Sequence, residues 1–296
     1  MSTILVPVDF STHSNNALKY ACAYAEETHS SLIVFHSYVE PVADLSFPFP
    51  DIGHLKKEAF TQADKKMKKL VTSMAARFPR VKITPVFKTG DAGRNIVDYA
   101  GQKRIKLVIA GTTGHGNGLE RFLFGSTTAY LIKHLDCRIM TIPPTVRYKR
   151  IAKMALATDL RDDNLSSMKE LIPMAKMFNA QMMVVYVQEP ADFERTDSYP
   201  DLVAHTKKML RYPKLSFFIH RSQEVIHGLE TFVAKQKVNM LCIVTRKRKF
   251  PSSLLSRSLA NELSIAFQKT PLLVLHVHER ENKTTATKVR VRKSTR

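Results

Sequence analysis

Between Gly111 and Ser126 the chain reads Gly-Thr-Thr-Gly-His-Gly-Asn-Gly-Leu-Glu-Arg-Phe-Leu-Phe-Gly-Ser, and four of its ten glycines fall within the first eight of these residues. Glycine lets the backbone pass through positive φ and lets a ligand come close to it. Gly125-Ser126 stands where a helix is expected to begin, and a helix N-terminus offers unpaired N–H groups and a positive dipole end. A phosphate group suits that place. A flexible surface loop closed by a glycine cap fits the same residues, and the loop alone does not separate the two readings. Asp9 is the second candidate: it ends the apolar run Ile4–Val8, where its carboxylate either caps the next helix or meets a ligand.

Other chemistries find less support. Ser126 has His115 nearby in sequence, but no G-x-S-x-G nucleophile elbow surrounds it. The glycine loop also lacks the Gly-Lys-Ser/Thr ending of a P-loop, so vigorous ATP hydrolysis is not expected and the main role is not that of an enzyme. His36 reads as a satisfied histidine at a strand end. No H-E-x-x-H or paired Cys/His spacing exists among the eleven histidines and three cysteines, and no structural metal is expected. Cys22, Cys137 and Cys242 stand far apart among apolar residues, as buried free thiols do.

The chain of 296 residues has 44% hydrophobic and 24% charged residues, which suits a globular protein with an ample core. No run of about 18 apolar residues would span a bilayer. The first apolar run holds Pro7 and leads straight into Asp9, unlike a secretory signal, so a cytoplasmic location is expected. The net charge of +20 calls for a cause. Part lies in the last twenty residues, where Arg290, Arg292, Lys293 and Arg296 form a basic end expected to be disordered. Another part is the run Arg246-Lys247-Arg248-Lys249. Non-specific contact with polyanions fits such patches, but no recognition helix or aromatic-laced strand accompanies them, so no specific nucleic-acid partner and no membrane is expected.

The elements that must position the candidates alternate between short apolar runs and amphipathic stretches, as in β-α units on a parallel sheet. Ile4–Val8, Leu32–Phe35, Val81–Val86, Leu107–Ala110 and Ile139–Ile142 read as strands. Pro85 puts the third near an edge. Ser11 or Thr12 caps a first helix with Ala17, Leu18, Ala21, Cys22 and Ala25 inward. Further helices are expected over 55–76, 93–102 and 126–135.

The pattern then restarts. Met154–Asp159 repeats the strand-then-Asp of Ile4–Asp9, and Met182–Val187 answers the second strand. Leu241–Val244 and Leu272–Leu275 answer the fourth and last. The offset falls from 150 at the start to about 134 by the fourth strand, so the second copy has lost residues around its second helix. The expectation is an α/β protein of two tandem doubly wound domains, each an open five-stranded parallel sheet of order 3-2-1-4-5 with helices on both faces. Residues 1–144 form the first, 149–278 the second and 279–296 the tail. The linker, Pro143–Tyr148, is short enough that the copies should pack together.

In that strand order, ligands bind beyond the carboxyl ends of strands 1 and 4, where the order reverses. Asp9 and Gly111 end those two strands and would line one crevice. Together they look nucleotide-sized, with a carboxylate for a base or sugar and a backbone cradle for phosphates.

Val6-Pro7-Val8-Asp9, the Phe35-His36 strand end and Gly-x-x-Gly…Gly-Ser resemble universal stress proteins, over essentially the whole chain in two copies. In the ATP-binding branch of that family, nine residues separate Gly-x-x-Gly from Gly-Ser or Gly-Thr; here ten separate Gly114 from Gly125. The resemblance implies that Asp9 and the backbone of Ser37 contact adenine. Ala110 and Gly111 would lie at the ribose, and Gly114, Gly125, Ser126 and Thr127 at the phosphates of ATP, with magnesium as a possible companion. The second copy keeps Asp159 but has Thr245, Arg248 and Ser258 followed by Leu259 in place of the glycine motif, which implies a degenerate site. The resemblance also implies pairing through the last strand of each unit, within one chain or between two. The function expected is that of a stress regulator binding an adenine nucleotide in the first domain; the alternative is an interaction module of the same fold without a nucleotide.

Overall fold

The computed structural model describes residues 2–39, 52–112, 126–159, 164–190, 199–246 and 267–277. In the first half, β1 (Thr3–Pro7), β2 (Ser31–Tyr38), β3 (Ile83–Thr89), β4 (Leu107–Gly111) and β5 (Arg138–Ile142) alternate with four helices. These are α1 (Thr12–Thr28), α2 (Ile52–Arg77), α3 (Ala92–Gln102) and α4 (Ser126–His134). The second half has β6 (Lys153–Thr158), β7 (Gln181–Gln188), β8 (Leu215–Arg221), β9 (Met240–Arg246) and β10 (Leu272–Val277). Its described helices are α5 (Asn164–Phe178), α6 (Tyr199–Leu210) and α7 (Val225–Gln236).

All ten strands form one sheet in the order β3-β2-β1-β4-β5-β10-β9-β6-β7-β8. Each half therefore has the order 3-2-1-4-5, as the sequence leads one to expect. The halves meet where β5 and β10 run antiparallel, with Met140 opposite Leu273 and Ile139 opposite Val274. Those four side chains are fully buried, each contributing about 1.5–3 kcal/mol of apolar burial.

Strand alternation sends successive residues to opposite faces. Ile4 and Val6 join a core with residues of α1, α2, α5 and α6. Leu5 joins a second core with residues of α3, α4 and α7. Both cores extend through the two halves. β3 is an edge strand paired with β2 alone, so Pro85, opposite Val34, removes no hydrogen bond on an outer side. It runs to Thr89, three residues beyond the apolar stretch, because Phe87 packs inward past the proline.

The lost residues are placed by the elements. β2 and β7 begin at Ser31 and Gln181, 150 apart, whereas β3 and β8 begin at Ile83 and Leu215, 132 apart. Between them α2 has 26 residues and α6 has 12.

The segment joining the halves is fastened to α1. The buried Asn16 amide donates to the carbonyls of Pro143 and Val146 at 3.1 and 3.0 Å, and its oxygen accepts from Arg147. The Tyr148 hydroxyl donates to Glu27 Oε2 at 2.5 Å, and its ring meets those of Tyr20 and Tyr24 edge-on. Across the seam, Arg138 pairs with Glu170 of α5 at 3.5 Å.

Cys22 and Cys242 are buried, Cys137 is half-buried, and all three are free thiols. Burial pushes the Cys22 thiol up to about 12 and that of Cys137 up to about 11, so neither is a thiolate near neutral pH.

Candidate functional site

The register of the sheet decides which strand ends stand together. Pro7 pairs with Phe35, so Asp9 and Ser37, each two residues further on, lie level beyond β1 and along β2. Leu5 pairs with Val108, which brings Val8 level with Gly111 at the end of β4. This is the point where the strand order reverses, since chain connections leave β1 toward β2 on one side and reach β4 on the other.

Asp9 is exposed there. Its Oδ1 accepts from the Ser11 N–H at 2.9 Å, and its own N–H donates to Ser14 Oγ at 3.3 Å. Burial acts to raise its pKa, but the hydrogen bonds from Ser11 and Ser14 outweigh it and hold the carboxyl below the usual 3.8. The helix cap is Ser11, whose Oγ accepts from the Ser14 N–H at 3.2 Å. Asp9 therefore braces the turn before α1 and leaves the capping to Ser11.

Phe10, between them, has φ +64°, an unusual conformation for a bulky residue. Its ring lies 4.4 Å from that of His36, with Lys66 Nζ 5.9 Å from the Phe10 centroid. His36 is buried, and its Nδ1 lies 2.7 Å from the Val8 carbonyl. It is the satisfied strand-end histidine expected, tying β2 to β1 beneath the crevice.

On the other side, Gly111 touches the start of α1. A Cβ built there would lie 2.8 Å from the His13 carbonyl oxygen, closer than real contacts allow. Thr128, buried in the first turn of α4, donates through its hydroxyl to the Gly111 carbonyl at 3.0 Å. The helix start is thus fastened to the strand end. Ser126 is exposed and Thr127 half-exposed on that same first turn. Ala110 is buried, so only its backbone can meet a ligand. Ser37 is half-buried, and its hydroxyl accepts from the Asn95 amide at 3.2 Å; Asn95 also donates to the Thr89 carbonyl at 2.8 Å.

The structure thus brings Asp9, Ser37, Ala110, Gly111, Ser126 and Thr127 to the carboxyl end of the sheet. Gly114 and Gly125 lie outside the described residues. In the second half Asp159 follows β6 and Thr245 lies on β9, while Arg248, Ser258 and Leu259 lie outside the described residues.

Sequence reasoning passed over Phe10, Asn95 and Thr128. Asn95 carries a local signal: Asp91 caps α3 by accepting from the Arg94 N–H at 2.8 Å, which sets Asn95 in the first turn, within reach of Ser37 and the Thr89 carbonyl. Phe10 carries none, because its meaning lies in a backbone angle.

A sheet that is parallel within each half, with polar groups gathered at its switch point, defines a doubly wound α/β protein. The sequence model of the universal stress protein family matches residues 1–143. A universal stress protein of Methanocaldococcus jannaschii is 33% identical over 144 residues, covering 47% of this chain and 80% of that protein. One from Synechocystis is 26% identical over 149 residues, covering 47% of this chain and 96% of that protein. The crystal structure of a universal stress protein from Archaeoglobus fulgidus covers 93% of this chain and 98% of its own, with TM-score 0.74 and 14% identity. At that identity the likeness concerns the fold, and it extends through both halves. The chain belongs to the universal stress protein family.

Proposed function

We propose that the chain is a stress-response regulator whose first domain, residues 1–144, binds ATP at the β1–β4 crevice. The reading rests on one observation above the others: the register sets Asp9 one residue beyond the level of Gly111, to which Thr128 fastens the start of α4. The donor set fits the ligand. Asp9 and the Ser37 backbone would take the adenine, and the backbone at Ala110 and Gly111 the ribose. Gly114, Gly125, Ser126 and Thr127 would hold the phosphates, where free N–H groups and the helix dipole favour negative charge. Magnesium would screen the phosphates when they are bound. The role is regulatory, with at most slow hydrolysis, because the loop has no P-loop lysine.

The second domain, 149–278, keeps the fold and Asp159 but carries Thr, Arg and Ser where the first has glycines, and it is proposed to be empty of nucleotide. The β5–β10 pairing satisfies within one chain the strand partnership that single-domain relatives are expected to make between chains. A cytoplasmic location accompanies this reading, as three separate free thiols suit a reducing compartment. The ten-residue spacing between Gly114 and Gly125 is the observation that favours the other reading, an interaction module without nucleotide.

Photolabelling with 8-azido-ATP, followed by peptide mapping, tests the placement. The proposal expects adducts on peptides containing residues 9–14 or 36–39, suppressed by excess ATP and absent from the G114A/G125A double variant. Suppressible labelling confined to residues 153–190 would instead place the site in the second half.

A further inference from the structure

The charge of +20 is unevenly spread. Between residues 52 and 90 the chain carries eight lysines and two arginines against Glu58 and Asp64, a net of +8. All ten cationic side chains are exposed. The segment comprises α2 and the edge strand β3, so the charge occupies one outer corner of the first half.

The length of α2 is not demanded by the core. It buries Ala63, Met67 and Met74, while residues 53–58 are exposed throughout. The second half closes its own core with the 12-residue α6. The longer helix carries Lys57, Lys65 and Lys69 on one outward side, at spacings of eight and four. None of the three has an acidic partner among the described residues, whereas Lys68 is held by Asp64 at 2.7 Å. Like charges four apart on a helix cost a few tenths of a kcal/mol. A row of that kind, on a helix longer than its counterpart, is a surface that a polyanion would stabilise.

From this row we infer that the outer face of α2 docks on the phosphate backbone of duplex nucleic acid, without reading its sequence. From Lys57 to Lys69 is about 18 Å at the helical rise, roughly half a turn of B-form DNA. A phosphate lattice asks for cations at such intervals and nothing else. A bilayer would ask for apolar side chains on the same face. The exposed residues between and beyond the lysines are mostly polar or charged, among them Glu58, Thr61, Gln62, Lys68 and Thr72. Of the described large apolar side chains of α2, only Leu55 and Phe60 are exposed, each 42%, and the Phe60 ring is held against the sheet, 5.5 Å from Phe87 and 6.0 Å from Tyr38. The inference does not depend on nucleotide binding.

The test is fluorescence anisotropy of a labelled duplex of about 20 base pairs, in two unrelated sequences, titrated with the full chain from about 50 to about 200 mM salt. Each neutralised phosphate contact contributes about 0.9 to the slope of log affinity against log salt. The K57Q/K65Q/K69Q variant should therefore show a slope shallower by about three and at least a tenfold loss of affinity at low salt, equally for both sequences. K169Q/K176Q/K208Q removes the same charge from α5 and α6 and should change the slope by less than one. An equal effect of both variants would assign the binding to net charge and overturn the inference. So would the absence of duplex binding at the lowest salt, or capture by anionic vesicles in its place.

Discussion

The Thr128 hydroxyl donates to the Gly111 carbonyl at 3.0 Å, joining the first turn of α4 to the last residue of β4. One strand ends and one helix begins on the two sides of the glycine loop, and this bond sets the gap that the loop must bridge. Replacing Thr128 by valine keeps the shape and removes the donor. The loss expected is about 1–2 kcal/mol, read by urea unfolding, with nucleotide affinity falling more than stability alone would explain.

Gly111 and Gly101 should respond in opposite directions to alanine. At Gly111 the new Cβ meets the His13 backbone at 2.8 Å and has no flexible side chain to displace. A cost of about 1–3 kcal/mol follows from the forced backbone shift. At Gly101, in the last turn of α3, nothing lies within 4 Å of the added atom, and alanine's helix preference should stabilise by up to about 1 kcal/mol. Unfolding midpoints of the two variants check the contrast.

Asp9 makes stability depend on pH in a stated sense. Its folded pKa lies below 3.8, so its contribution is present above that value and is lost as the pH falls through the folded value. An Asp9→Asn variant keeps an acceptor for the Ser11 N–H but has no such titration. The stability difference between wild type and variant should be constant from about pH 7 to about pH 5 and shrink below about pH 4. A difference that widens on acidification would reverse the assignment.

Asn16 holds the connecting segment through two carbonyls, those of Pro143 and Val146. Asn16→Leu fills the space but takes the side-chain donor from the Val146 carbonyl, while the Pro143 carbonyl keeps the Val146 N–H and Arg147 keeps the Pro144 carbonyl. A loss of about 1–3 kcal/mol is expected from the acceptor left unmade. Calorimetric unfolding should remain one transition at a lower midpoint, because Tyr148 still ties the segment to Glu27, Tyr20 and Tyr24 of α1 and the β5–β10 pairing still joins the halves.

The path of the first half could be followed in the sequence because most of its strands are short apolar runs and Ser11 or Thr12 marks the first helix start. The duplication was visible for a similar reason, in Met154–Asp159 repeating Ile4–Asp9. β8 shows the limit. Leu215–Arg221 sets three consecutive apolar residues, Phe217, Phe218 and Ile219, between Ser216 and His220, and as an edge strand it is only partly buried, with no alternation to mark it. At the site, Asp9 and Gly111 stood out by residue type. Phe10 and Thr128 did not, because a positive φ and a hydroxyl reaching a carbonyl 17 residues away are properties of the folded chain. The antiparallel joining of β5 to β10 lay between these cases: both runs were plain, and their pairing followed from family resemblance alone.

The most direct measurement is a calorimetric titration of the full chain with magnesium and ATP. One site per chain is the predicted result, lost in the G114A/G125A variant while its unfolding remains cooperative. Two sites would contradict the account by giving the second half a working cradle. No heat of binding at millimolar nucleotide, from folded protein, would contradict it outright and leave the interaction module as the function of this fold.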